Sequence, residues 1–251
     1  MVGFGCVPNT EAEVEHDRIC NGIERLVGSP LAADMWIDYS RFVDRVCDQG
    51  PTQSCVANWF STACYLAGQA QGKLVPRPSR RWAYAVARYT RTPGVLIDTG
   101  SSARMMCVGS SRHGIVSEER LPFEPAKIDE PPPFDADIAG ADALFTGYYR
   151  AESALDIRRA LSLGHFPGTA IRVYEDFERI GGDGAIYDVP SGAFRGQHMI
   201  TAVGCKPGAI LYINSWGTGW GMGGYAWLSD RFVDSHDAFD KYVVTSAPVS
   251  R

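Results

Sequence analysis

The sequence predicts an α+β chain of two lobes, mainly helical first and mainly β-stranded after. Capped, helix-like apolar segments cluster between residues 38 and about 120, whereas short β-branched and aromatic runs dominate beyond about residue 165. Between them lies a proline-rich stretch that neither a helix interior nor a central strand accommodates. With 45% apolar and 21% charged residues over 251 positions, the chain has the composition of a globular protein with a sizeable core.

Taken in order, residues 1–37 mix an acidic patch (Glu11, Glu13, Glu15, Asp17) with Gly and Pro, and read as an irregular extension wrapping the body. Residues Ser54 to Gly68 form the clearest helix, with Ser54 as N-cap and Gly68 as the stop. Val56, Ala57, Trp59, Phe60, Ala63, Cys64, Leu66 and Ala67 make it apolar nearly all round, which predicts a buried central helix. A second helix follows Ser79 and a third runs from about Ser101 to Arg112 before Gly114, so 38–123 reads as a helical lobe. Glu124 to Asp137, with Pro131, Pro132 and Pro133, reads as an extended crossing. One more helix is expected from Ser153 to Leu163, closed by Gly164. Strands are expected at Thr169–Tyr174, His198–Cys205, Ala209–Asn214, Gly224–Leu228 and Lys241–Thr245, with Lys206-Pro207-Gly208 as a hairpin loop. Residues 124–251 are thus the β lobe, and the two lobes together make one unit.

Charge and cysteine usage narrow the function. With 24 basic against 29 acidic residues, net −5, the chain lacks the positive surplus of a general nucleic-acid binder. No apolar run is long enough to span a membrane. Met1 to Thr10 has neither a basic opening nor an uninterrupted apolar core, so no secretory signal is read and the cytoplasm is the default, with a virion or non-classical export as other fits. The seven cysteines (6, 20, 47, 55, 64, 107, 205) are odd in number and none forms a C-x-x-C pair, which argues for reduced thiols and against a structural zinc site. No metal and no cofactor is expected.

One thiol stands apart. Cys55 falls on the first turn of the buried helix, where unpaired N–H groups and the positive dipole end favour a thiolate, so a lowered pKa and a nucleophile are expected. Six residues upstream, Gln49 offers a side-chain amide that shares an oxyanion site with the Cys55 backbone N–H. His198 opens a predicted strand, and Asn214 ends the next one, sixteen residues on. A tight antiparallel hairpin brings these two ends side by side, so the amide fixes the ring and tautomer of a histidine base.

Oxyanion donor, nucleophile, base and orienter in this order resemble the papain-like cysteine peptidases, of the short prokaryotic or phage type without a long propeptide. Gly3-Phe4-Gly5-Cys6-Val7-Pro8-Asn9 is similar to that family's opening G-W-x-P-D, and Trp36-Ile37-Asp38-Tyr39-Ser40 sits where members carry V-D-L-R. Asp98-Thr99-Gly100-Ser101-Ser102-Ala103-Arg104 resembles D-x-G-x-S-x-R, and His113-Gly114-Ile115-Val116-Ser117-Glu118 resembles Y-G-x-x-x-E. Trp216-Gly217-Thr218-Gly219-Trp220-Gly221 with Gly224-Tyr225 matches W-G-x-x-W-G-x-x-G-Y.

The resemblance implies a two-lobed fold with Cys55 as nucleophile, His198 as base and acid, Asn214 as orienter and Gln49 as oxyanion amide. It implies that Trp216 shields the Asn214–His198 pair, that Gly100 and Ser101 pair with an extended substrate, and that Met199 lines the main specificity pocket. Two departures stand at the cleft rim: Gln53 replaces a glycine two residues before the nucleophile, and Gln197 replaces a small residue before the histidine. The partner implied is a peptide or protein substrate. Because the segment before Cys55 is too short for a long prodomain, restraint is expected from this segment, from an inhibitory or scaffold protein, or from confinement. Two other readings share these residues: a non-catalytic peptide-binding module, and a cysteine acyltransferase or transpeptidase.

Overall fold

The computed structural model describes residues 3–20, 31, 32, 34–73, 75–94, 96–132, 143, 144, 147–244, 249 and 250. Helix α1 (Glu11–Cys20) stands where an irregular extension was expected. Its start is a reciprocal cap: the Thr10 N–H donates to Glu13 Oε2 at 2.8 Å, and the Glu13 N–H donates to Thr10 Oγ1 at 3.3 Å. The acidic patch lies on this helix, with Glu11 and Glu13 in the first turn beside the positive dipole end.

The central helix α2 (Cys55–Ala70) is buried on nearly every side. Its ends differ from expectation. Ser54 makes no side-chain cap, because its hydroxyl is 2.7 Å from Thr52 Oγ1 instead. Gly68 does not stop the helix but lets the following chain approach; a Cβ there would lie 2.4 Å from Val75 Cγ2. Helices α3 (Arg80–Arg91) and α4 (Ala103–His113) follow, capped by Ser79 and Ser102 through the N–H groups of Trp82 and Met105. The stretch before α2 is not helical as expected: it holds strand β1 (Ile37–Asp38), a short 3-10 turn at Ser40–Phe42, and then irregular chain. Pro125–Lys127 is likewise a 3-10 turn rather than extended chain, whereas residues 133–137 of the expected crossing lie outside the described residues.

The second half builds a sheet. Its strands are β3 (Tyr148–Ala151), β4 (Gly168–Tyr174), β5 (Ile186–Tyr187), β6 (Phe194–Lys206), β7 (Ala209–Ile213), β8 (Tyr225–Ser229) and β9 (Ala238–Val244). They run in the order β3-β9-β4-β6-β7-β8-β5, with β1 added alongside β6. All pairs are antiparallel except β5 with β8. A small antiparallel pair, β2 (Ala143–Leu144) and β10 (Val249–Ser250), stands apart from it. Helix α5 (Ala154–Ser162) opens with a full capping box between Ser153 and Asp156.

One apolar core joins α2 to the sheet, with Trp59, Phe60, Phe166, Ile171, Val203 and Tyr242 all buried in it. A close approach is at Gly168 on β4, where a Cβ would lie 2.5 Å from the Trp59 ring. The indole also donates to the Phe166 carbonyl at 3.3 Å, so α2 is held at a set height over the sheet. Gly168→Ala is therefore expected to force α2 and β4 apart and to lower stability by about 1–3 kcal/mol. Urea denaturation checks this; an unchanged midpoint would show that the approach is not tight.

Candidate active site

Residues from four segments converge where the N-terminus of α2 meets the start of the apolar half of β6. The hairpin β6–β7 sets Thr201 opposite Ile213, which leaves His198 on one strand and Asn214 just past the other. The His198 Nε2 to Asn214 Oδ1 distance is 2.7 Å. The same Oδ1 accepts the Ser215 N–H at 2.7 Å, which identifies it as the oxygen of the amide. An oxygen there can only accept, so Nε2 carries the ring proton. Nδ1 is thereby the bare nitrogen, and it is buried without a hydrogen-bond partner. Trp216 stacks on the ring with centroids 4.6 Å apart and an interplanar angle of 30°.

Gln49 is fixed by the same loop. Its N–H donates to the Ser215 carbonyl at 2.9 Å, Ser215 Oγ donates to Gln49 Oε1 at 2.6 Å, and the Gly217 N–H donates to the Cys47 carbonyl at 3.0 Å. These bonds turn the amide so that Nε2 points into the cleft. Ser215 was not singled out in the sequence; its place directly after Asn214 was the available signal.

The cleft is filled by the chain's own N-terminal segment. The Gly3 N–H donates to the Gly50 carbonyl, and the Gly3 carbonyl accepts from Gln49 Nε2 at 3.0 Å. The Phe4 ring meets His198 and Trp216 edge-on, at 6.4 and 5.9 Å. The Cys6 N–H donates to the Gln197 carbonyl, the Ser101 N–H donates to the Gly5 carbonyl at 2.9 Å, and the Val7 N–H donates to the Ser101 carbonyl at 3.0 Å. Glycine is required at two points along this path. A Cβ on Gly5 would lie 1.9 Å from the Gln53 carbonyl oxygen, and one on Gly100, at φ +76°, would lie 2.2 Å from the Gly5 carbonyl oxygen. The segment was expected to wrap the body, not to enter the cleft.

The remaining expected residues are placed as follows. Ser101 does pair with an extended chain, but with this one, whereas the Gly100 N–H donates to the Tyr84 hydroxyl at 2.8 Å. The Gln53 side chain is turned from the rim onto the Asp98 carbonyl, to which its Nε2 donates at 2.6 Å, and its N–H donates to the Asp98 carboxylate. Gln197 offers its carbonyl to the segment. Met199 is buried and borders a small inner cavity with Trp59, Thr201 and Asn214. Among the described residues, no three His, Cys, Asp or Glu side chains converge as metal ligands would.

Closure reverses the expected electrostatics of the thiol. Burial pushes Cys55 up from 9.0 to about 11, although backbone hydrogen bonds from Met199, Gly5, Val56 and Cys55 itself pull it down. Loss of water outweighs the helix terminus. Burial likewise pushes His198 down from 6.5 to about 4, against the upward effect of the Asn214 bond. At neutral pH the covered site thus holds a thiol and a neutral imidazole.

No family model matches the chain. It is 27% identical, over 214 residues, to an uncharacterized peptidase C1-like protein, L477, of Acanthamoeba polyphaga mimivirus, covering 78% of this chain and 68% of that protein. Its structure is similar to that of xylellain, a cysteine protease from Xylella fastidiosa, with a TM-score of 0.75 and 19% identity over 98% of this chain and 96% of that one. The fold is papain-like. A procathepsin B from Trypanosoma congolense shares this papain-like fold with a TM-score of 0.70 and 15% identity, over 98% of this chain and 83% of that one.

The lowered His198 pKa has a signed consequence. A folded value near 4 against 6.5 means stability that is present above pH 6.5 and lost as pH falls towards 4. The loss amounts to about 3 kcal/mol. Wild-type protein is expected to lose about that much more stability between pH 7 and pH 4 than His198→Gln. Urea titrations at the two pH values measure this; equal losses would show that His198 is not held neutral by burial.

Proposed function

We propose that the protein is a cysteine peptidase that hydrolyses peptide bonds through an acyl-enzyme. The observation that carries the reading is the buried, unpartnered Nδ1 of His198, left without a proton by the Nε2–H bond to Asn214. The backbone of Met199, the residue after that histidine, is among the groups that pull the Cys55 pKa down. A base without a proton beside a thiol at a helix N-terminus is the arrangement that generates a nucleophile.

In the proposed reaction the Cys55 proton passes to His198 Nδ1 and the thiolate adds to a substrate carbonyl carbon. The oxyanion that forms takes hydrogen bonds from Gln49 Nε2 and the Cys55 N–H; in the covered state that amide already holds the Gly3 carbonyl. His198 returns its proton to the amine as the C–N bond breaks. The ring then takes a proton from water, hydroxide adds to the thioester carbon, and collapse releases the acid and restores the thiol. Asn214 keeps the ring oriented and Trp216 keeps water from the bond between them.

Turnover by this route requires the Gly3–Val7 segment to leave the cleft. Its departure readmits water, which lowers the Cys55 pKa and raises that of His198, and so favours the thiolate–imidazolium pair. The likeness to L477, named peptidase C1-like, and to xylellain, titled a cysteine protease, supports the same reading.

Cys55→Ala is expected to reduce cleavage of a fluorogenic peptide panel to background while the fold is kept. Gln49→Ala is expected to lower kcat by about 10²–10³. Undiminished cleavage by Cys55→Ala would refute the reading.

A further inference from the structure

The segment that fills the cleft ends on an anchor outside it. Two residues past Val7, the Asn9 N–H donates to Asp240 Oδ2 at 2.7 Å, and Asn9 Nδ2 donates to the Tyr242 hydroxyl at 3.0 Å. Asp240 and Tyr242 both stand on β9, two positions apart, and both are buried. The other Asp240 oxygen, Oδ1, accepts from Arg150 Nη1 at 2.9 Å, and Arg150 Nε donates in turn to Glu152. The carboxylate is thus divided, one oxygen for the body of the protein and one for the N-terminal segment.

Asp240 also has φ +38°, the one non-glycine residue at positive φ among the described residues. Backbone held in that region costs free energy and persists only where its surroundings impose it. Between the anchor and the covered thiol the chain is short and stiff. Pro8 has a fixed φ, and Val7 and Gly5 are laddered to Ser101. Freedom gained at Asn9 therefore reaches Gly5 with little slack to absorb it.

We propose that Asp240 is the clasp of an intramolecular plug: its charge-assisted bond to Asn9 holds residues 3–7 in the cleft, and losing it uncovers Cys55. This rests on the reading of Cys55 as the reactive thiol. The clasp does not touch the proposed reacting groups, so releasing it opens the cleft without altering them.

Asp240→Asn tests the clasp. Asn keeps the volume and tolerates positive φ, but has one acceptor oxygen in place of two, so it cannot serve Arg150 and the Asn9 N–H together. Tyr242→Phe removes the second bond at no change in charge, and carries the test if the first variant does not fold. The measurement is the rate of Cys55 alkylation by iodoacetamide in the full chain, located by peptide mapping, with cleavage of the fluorogenic panel read in parallel. Asp240→Asn is expected to label Cys55 about tenfold faster than wild type, and Tyr242→Phe about threefold faster. Cys64, buried on the same helix, is expected to stay unlabelled in all three proteins.

Unchanged Cys55 labelling in both variants, or Cys64 labelling that rises in step with it, would overturn the clasp. Faster Cys55 labelling with no peptide cleaved by any of the proteins leaves the clasp standing and sinks the peptidase reading. Cleavage by wild type, with equal labelling throughout, does the reverse.

Discussion

A single hydrogen bond, 2.7 Å between His198 Nε2 and Asn214 Oδ1, sets the chemistry available to this molecule. It assigns the ring proton to one nitrogen and leaves the other bare. The bond depends in turn on the β6–β7 hairpin, which brings two residues sixteen positions apart to the same end of the sheet. The loop that follows carries Ser215 and Trp216, which orient Gln49 and cover the ring. Loss of the hairpin register would therefore scatter base, orienter and amide at once. The Trp59–Gly168 approach matters for the same reason, because it sets where the helix that bears Cys55 meets that sheet.

Two effects compete at Cys55, and their balance depends on whether water is present. The helix N-terminus and the surrounding backbone N–H groups favour a thiolate, whereas burial favours a thiol. With residues 3–7 in place, burial prevails, and the imidazole is discharged by the same loss of water. Covering the cleft thus blocks access and also holds both proposed reactants in their uncharged forms. Restraint and chemistry are coupled through solvation.

The hairpin, the buried helix and the four polar residues at its mouth were legible because each leaves a local pattern. The pattern is an all-round apolar helix, a Lys206-Pro207-Gly208 turn, and polar residues where strands begin and end. The course of residues 3–7 was not legible, since it is fixed by backbone hydrogen bonds and by the close approach of Gly5 to Gln53 and Gly100. Asp240 left no local signal either, because its bond to Asn9 spans 231 positions. At Cys55 the dipole argument was physically sound but incomplete. The sign of the pKa shift was decided by burial under a segment whose position the sequence did not reveal. Gly68 shows the same limit at smaller scale: a residue that suggests a helix end proved to be a point of close packing.

The protonation state of the His198 ring tests the account most directly. Long-range proton–nitrogen NMR spectra of histidine-labelled protein at pH 7 distinguish the three forms of an imidazole. The account requires a neutral ring with its proton on Nε2 and a bare Nδ1. A proton on Nδ1 with a bare Nε2 would leave Asn214 without its donor and Cys55 without its base, and would contradict the account.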